Sequence, residues 1–357
     1  MNIKRKLDKL YKDFYDVMRR HSAQKRRIKQ FQKLTHPGVL TKEQESKVKA
    51  YFSPYSKLNM VFHNFYTEKT GIFCEDYIPQ DVYVGYIDPY FNDIRAAEYL
   101  DNKCYFGMLY NQIPQPETVI KRINKLWLNK NNEPLTQEQI KSILNNEPDS
   151  VFLKEAVTSS GGHGVVYIEK SPDTYAKLMQ AAERIPTDLI VQRGVVQHAD
   201  IAKLNNSSVN TLRIYSVLGL DGNVTVYSSV LRMGVGKAKI DNYSSGGYSC
   251  GITKEGKLQK FAYNSAGERI DTHPTSGICF EDYVIPSYDK AISLVKKAHP
   301  IMPHFRSVCW DIAICEDGTP VMIEANLCRG GIVSLQLNNG PIYGADTKKI
   351  LDEVFRK

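Results

Sequence analysis

The sequence predicts an α+β protein made of two units with a cleft between them and a helical N-terminal extension. Two observations carry this. Helical patterns and a small set of strands come first, and a longer run of antiparallel β-pattern follows from residue 206 onward. Within that run, Asp221-Gly222 and Asp317-Gly318 stand between alternating apolar stretches, the short-range signature of β-hairpins. At 357 residues and 42% hydrophobic, the chain has length for two or three domains, each with its own core.

Taken in order, the first 33 residues read as basic helix, with Leu7, Leu10, Phe14, Val17 and Met18 at helical spacing. Pro37-Gly38 ends that region, and a second helix is expected over 41–52. Residues 53–95 are rich in Tyr and Phe, with β-like runs such as "DVYVGYI" punctuated by Pro79 and Pro89. "AAEYLDNK" predicts a short helix leading to Lys103. "PETVIKRINKLWLNKNNEPLTQEQIKSIL" predicts one strand, a polar turn and a helix after Leu135. "SVFLKEA" is a strand, the glycine-rich "SSGGHGVVYIE" follows, and "SPDTYAKLMQAAERI" is a helix with Ser171 as N-cap and Pro172 at its first position. "DLIVQRGVV" is a strand. Beyond the hairpin around Asp221-Gly222 come a polar loop (239–251), a short strand, a helix at 287–300, the second hairpin and a closing helix at 345–357.

Composition excludes several classes. Residues 1–33 hold twelve Lys/Arg against three Asp, so the other 324 residues carry about −1 of the chain's net +8. The main body is therefore no basic nucleic-acid-binding domain. A basic amphipathic helix suits either an anionic membrane surface or a berth on the body with its charged face in water. No apolar run approaches the ~20 residues of a membrane span, and the charged N-terminus is no signal peptide. Seven cysteines without a CxxC pair read as reduced thiols in a cytoplasmic protein.

The chemistry concentrates in "CWDIAICEDGTPVMIEANLCRGG". With Asp317-Gly318 as a two-residue loop, Asp311 lies opposite Glu324, and Asn326 shares Glu324's face. Opposed like charges destabilise a sheet, so loss of one acid should leave stability unchanged or slightly raised. Two carboxylates and an amide oxygen on one face suit Mg²⁺; a solvated face whose acids never meet is the alternative. "FLKEAVTSSGGHGVVYI" places Lys154 on a strand before a glycine loop, Ser160, Gly161, Gly162, His163 and Gly164. Its backbone N–H groups can close on phosphate, although a plain glycine hairpin explains it too, and it matches neither a Walker nor a Rossmann loop. Around Asp221-Gly222 the same pairing arithmetic sets Arg213 opposite Val230 and Arg232 opposite Thr211, diagonal neighbours on one face. Such cations serve either as salt-bridge partners of the acids or as a phosphate clamp.

Read together, Lys103, Lys154 with its glycine loop, the "LIVQRGVV" hinge, Arg213, Asp311 and Glu324-x-Asn326 resemble the ATP-grasp superfamily. "DNKCYFGMLY", "SSGGHGV", "VQRGVVQHADIAKLNNSSVNTLRI", "LRMGVGKAKIDNYSSGG" and "WDIAI…IEAN" are similar to its sugar-transfer-associated group, related to α-L-glutamate ligases. The resemblance implies an ATP-grasp fold, two α+β subdomains gripping ATP. It divides the chain into a basic helical region (1–52), an N-terminal α/β segment (53–102), a small lid subdomain (103–192) and a large subdomain with the metal site (193–357).

It also implies roles. Lys103 and Lys154 would neutralise phosphates, and the 159–164 loop would close over their far end. Gln192, where relatives often have Glu, and Val195 would meet adenine, and Asp200 would meet the ribose. Asp311, Glu324 and Asn326 would hold Mg²⁺, Arg213 and Arg232 would stabilise the transferred phosphoryl, and Arg329 would face an acceptor carboxylate. The implied activity is an ATP- and Mg²⁺-dependent, ADP-forming ligase. It would join a small-molecule or glycan carboxylate to an amine, such as an amino acid or amino sugar, through an acylphosphate in surface-polysaccharide (capsule or lipopolysaccharide) modification. A phosphotransferase and a nucleotide-binding scaffold for glycan assembly are the alternatives.

Overall fold

A computed structural model describes residues 22, 24–157, 164–236 and 246–355. Most of the basic arm, the glycine-loop residues Ser160, Gly161, Gly162 and His163, and most of the 239–251 loop lie outside them. Residues 24–32 form α1, whose buried Phe31 packs against Phe62 and Phe65 while Lys25, Arg26 and Lys29 are exposed. α2 (Lys42–Phe52) begins at a capping box between Thr41 and Gln44. α3 (Val61–Thr70) stops at Gly71, whose left-handed backbone caps it.

The β-like "DVYVGYI" is helical instead. α4 (Gln80–Val82), a π-helical Tyr83–Ile87 and α5 (Asp88–Phe91) form one continuous run. Val82, Tyr83, Ile87 and Phe91 fall on one helical face and are buried in one cluster. Packing of that face overrides the strand preference of Val and Tyr. α6 (Ile94–Leu100) follows, and α7 (Lys103–Leu109) starts where Asn102 accepts from the Cys104 N–H.

The small sheet comprises β1 (Thr118–Ile123), β2 (Leu126–Leu128), β3 (Val151–Glu155), β4 (Val165–Ile168) and β5 (Leu189–Arg193), in the order β2-β1-β5-β3-β4. One strand was expected where β1 and β2 now stand. They meet at Asn124-Lys125, both at positive φ, which suits a tight hairpin but lacks the glycine that advertises one. α8 (Gln137–Asn146) and α9 (Thr174–Glu183) cover one face. α9 starts later than its Ser-Pro signal suggests: Asp173 is the N-cap, and Ser171 accepts the Thr174 N–H through its carbonyl. Period-two alternation gives the sheet a dry face (Ile120, Leu153, Leu189, Val191) and a mixed one (Lys121, Phe152, Lys154, Ile190, Gln192).

α10 (Ala199–Leu204) leads into the large sheet, seven strands ordered β10-β9-β8-β7-β6-β11-β12. These are β6 (Thr211–Leu218), β7 (Val224–Met233), β8 (Tyr248–Ile252), β9 (Leu258–Tyr263), β10 (Arg269–Ile270), β11 (Ser307–Ile314) and β12 (Pro320–Asn326). α11 (Tyr288–Ala298) packs on the face of Leu212, Ile214, Trp310 and Ile312. On the other face, α12 (Val333–Asn339), α13 (Thr347–Phe355) and the helical run 80–91 cover Tyr215, Val230 and Cys309. The polar end of that second face is the site described below.

Both hairpins reach the expected pairing by an unexpected route. Each loop holds three residues rather than two: Cys315 N donates to Thr319 O, and Gly219 N to Asn223 O, with Gly318 and Gly222 at positive φ. That shift of one is undone by a bulge in each ladder, between Asp311 and Ile312 and between Tyr215 and Ser216. Asp311 therefore still faces Glu324, Arg213 faces Val230, and Arg232 faces Thr211.

Two adjacent crossings join the sheets. After β5, Val196 O accepts from Glu316 N and His198 N donates to Ile314 O, so one segment serves both sheets with Gly194-Val195 between them. Beside it, Pro114 O accepts from Met322 N on β12, and Glu117 O from Arg193 N. The Arg193 guanidinium fastens the small-sheet end by pairing with Glu147 (2.7 Å) and Glu117. Among the described residues no helix is long and apolar enough to cross a membrane.

Candidate active site

Asp311 is the centre of the polar row. β11 lies between β6 and β12, so Asp311 pairs with Arg213 on one side and Glu324 on the other, all on one face. Arg213 forks onto both Asp311 oxygens (2.9 and 2.8 Å), and Arg232 reaches Oδ2 at 3.0 Å. Burial alone would raise the Asp311 carboxyl, but the two guanidinium groups overcome it and hold it below the ordinary carboxylate range. Of the two roles open to these arginines, the structure shows the salt-bridge partnership.

Glu324 is neutralised from another element. The Lys103 ammonium, at the first turn of α7, lies 2.9 Å from it. Burial works against the Lys103 charge, and Glu324 more than restores it, so its pKa is raised. The two acids are thus each paired with cations rather than left to repel, which reverses the expected effect of removing one. Asn326 donates through Nδ2 to Cys309 O (3.1 Å) and weakly toward Asp311, leaving its amide oxygen without a donor among the described residues.

Lys154 comes from the mixed face of the small sheet. Its ammonium donates to Gln192 Oε1 at 3.0 Å, and Gln192 Nε2 reaches toward Pro116 O. No described carboxylate pairs with Lys154. Burial, reinforced by Lys103 and only partly offset by Glu324, pulls its pKa down to about 8. Gln192 thus faces the second lysine with its side chain, an orientation that its expected adenine contact does not require. Gly164 has φ +83°, and a Cβ there would come within 2.8 Å of Glu155, so only glycine fits where the loop re-enters β4.

Other expected residues lie apart from this cluster. Asp200 is half-buried and paired with Lys203 (2.7 Å) in the first turn of α10. Val195 sits in the crossing between the sheets. Arg329 is exposed at φ 57°, with its N–H held by buried Asp88 at 2.9 Å. Two charged residues near the cluster went unread. Asp101, two positions before Lys103, is pushed up to about 7 by burial and by Glu324, against Lys103 and Arg329. Lys121 is buried on the same sheet face as Lys154. A lysine inside the apolar run "TVIKRI" was its only signal.

Four cationic heads (Lys103, Lys154, Arg213, Arg232) therefore surround two carboxylates. No three His, Cys, Asp or Glu among the described residues form a metal cage on their own. The excess of positive charge suits a polyphosphate, and Glu324 with the Asn326 amide oxygen suits a hard cation carried by it. The residues present fit a magnesium-bound nucleotide better than bare metal.

Two sheets joined by paired crossings, with lysines from one side facing an acid-and-amide strand on the other, define an ATP-grasp protein. The chain belongs to the sugar-transfer associated ATP-grasp family, whose model matches residues 84–350. No curated protein matches it significantly. Solved structures similar to it include the D-alanine–D-alanine ligase from Coxiella burnetii (8% identity, TM-score 0.41, 73% of this chain and 60% of that one). An L-amino acid ligase from Bacillus licheniformis (14%, 0.41, 73% and 52%) is another. A third is an ADP complex of N5-carboxyaminoimidazole ribonucleotide synthetase (12%, 0.40, 64% and 45%). The chain thus spans roughly half the length of these proteins.

Two predictions follow from the charges. Asp311→Asn strands two part-buried guanidinium groups and should cost about 3–5 kcal/mol in urea unfolding; a loss below about 1 kcal/mol would show that the arginines do not depend on it. Separately, phosphate beside Lys154 would raise its pKa, so binding takes up a proton once the free lysine has begun to lose its own. ADP affinity should hold steady near pH 7 and fall above about pH 8, by up to about tenfold per unit. Calorimetric titrations of wild type and Lys154→Arg check this: the arginine variant should stay flat, and a flat wild type would remove Lys154 from the nucleotide site.

Proposed function

We propose that this protein is an ATP- and Mg²⁺-dependent ligase that joins a carboxylate to an amine, forming ADP, phosphate and an amide by way of an acylphosphate. The observation that carries the proposal is the charged row itself: on β12 the Glu324 carboxylate, next to the Asn326 amide, is covered by the single ammonium of Lys103, beside an Asp311 held by two arginines, in a cluster with more cations than acids. Bound MgATP supplies the activating phosphoryl group. Lys103 and Lys154 bind the phosphate chain and leave their resting partners, Glu324 and Gln192. Glu324 and Asn326 would hold Mg²⁺ through oxygen, with Asp311 ionised beside them, and the ion would offset charge on the phosphates. Arg213 and Arg232 keep positive charge where the phosphoryl group is transferred. Arg329, fixed by its backbone bond to Asp88, faces the acceptor carboxylate.

The family association with sugar transfer supports a glycan or sugar carboxylate and an amino acid or amino sugar as the partners, in surface-polysaccharide assembly on the cytoplasmic side. Incubation with ATP, Mg²⁺ and candidate acid–amine pairs tests this. ADP, phosphate and an amide are expected, and Glu324→Gln should lose at least about 100-fold in turnover. A phosphorylated product would mean a kinase, and no ADP with any pair would leave a nucleotide-binding scaffold.

The basic arm is assigned a second task, holding the enzyme at an anionic membrane surface. Each lysine or arginine there is worth about 1 kcal/mol, and Lys25, Arg26 and Lys29 of α1 are exposed. Because Phe31 belongs to the body's core, the informative deletion is residues 1–21. Salt-sensitive binding to anionic vesicles should weaken in that variant; full-length protein that ignores vesicles even at low salt would end this assignment.

A further inference from the structure

Lys121 of β1 takes part in none of these ion pairs. It is only 3% exposed. Among the described residues its ammonium meets a single acceptor, the Cys104 carbonyl at 3.4 Å, and no carboxylate. An ammonium has three protons to place, and burying one without an anion costs several kcal/mol. A methionine would fill the same space without that cost. The lysine needs a reason outside the folded chain.

Its position supplies one. Lys121 pairs with Ile190 on β5, and Ile190 pairs in turn with Lys154 on β3. Residues paired across a ladder share a face, so the two lysines flank Ile190 about 10 Å apart at the backbone, two strand spacings. This is the mixed face, opposite the dry core under α8 and α9. Cys104, whose carbonyl Lys121 touches, adjoins Lys103. Lys103, Lys121 and Lys154 thus gather around the first turn of α7, and two of them lack a carboxylate partner among the described residues.

We infer that Lys121 is a nucleotide-contacting residue whose ammonium donates to an acceptor of the bound adenine nucleotide, a ring nitrogen or a phosphate oxygen. The inference rests on the nucleotide reading above and adds a third lysine to it. It also explains the burial: the charge is costly in the empty protein and is compensated when the ligand brings its acceptors.

The test pairs melting temperature with calorimetric titration of Mg-ADP and of adenosine, using the full chain, Lys121→Met and Lys121→Gln. Both variants should melt at or above the wild-type temperature without ligand, yet bind ADP roughly tenfold or more weakly, the loss of one buried charge-assisted hydrogen bond. A loss shared by adenosine identifies a ring nitrogen as the acceptor, and a loss confined to ADP identifies a phosphate oxygen. Wild-type ADP affinity in either folded variant would overturn the inference while leaving the nucleotide reading intact. Failure of the wild type to bind ADP would instead remove the nucleotide reading, and this inference with it.

Discussion

The structure depends on how one row of charge is neutralised. Asp311 and Glu324 stand side by side on adjacent strands, where like charges repel. The fold answers with cations from three elements: Arg213 from β6, Arg232 from β7 and Lys103 from α7. The arginines are near neighbours in the same sheet and hold Asp311 by a fork, so that part is rigid. Lys103 arrives on a separate helix as a single ammonium with three rotatable donors. The row therefore has one half held by guanidinium groups of its own sheet and one half, at Glu324, held by a single ammonium from a helix.

The small sheet completes this division. Its dry face is a conventional core with α8 and α9, whereas its mixed face keeps lysines beside Ile190. Gln192 offers Lys154 an acceptor without a charge, so it orients the ammonium and leaves its positive charge available. A glutamate there would hold the lysine more tightly and compete with any phosphate for it. Anchors on both sides of Gly194-Val195 keep the two sheets in fixed sequence contact while confining any adjustment to a short segment. Both sheets thus contribute cations to one polar cluster.

Much of this was legible because strand pairing is simple arithmetic. The Asp-Gly corners gave the right partners for Asp311, Glu324, Arg213 and Arg232, yet the loop length behind that arithmetic was wrong by one. A bulge in each ladder restored the register, and a bulge at Ile323 or Tyr227 leaves no mark in composition. "DVYVGYI" misled because its β-prone residues also form a helical face, and only the surrounding core decides between the two. The Asn124-Lys125 turn was hidden for want of glycine. Contacts between distant segments were the least readable. Nothing near Lys103 announces Glu324 as its partner, and nothing near Gln192 says that its side chain turns to Lys154 rather than outward. The residue types of the candidate site could be read from sequence; their resting partners required three dimensions.

On the proposed function, Lys103 and Glu324 are partners only until a nucleotide arrives. The most direct measurement is a crystal structure of the Mg-ADP complex, read at that pair. Lys103 should have left Glu324, now 2.9 Å away, for phosphate oxygen, with Glu324 and the Asn326 oxygen on the metal and the Arg213–Asp311 fork unchanged. A complex in which Lys103 stays on Glu324 while nucleotide and metal bind through other residues would rule this exchange out.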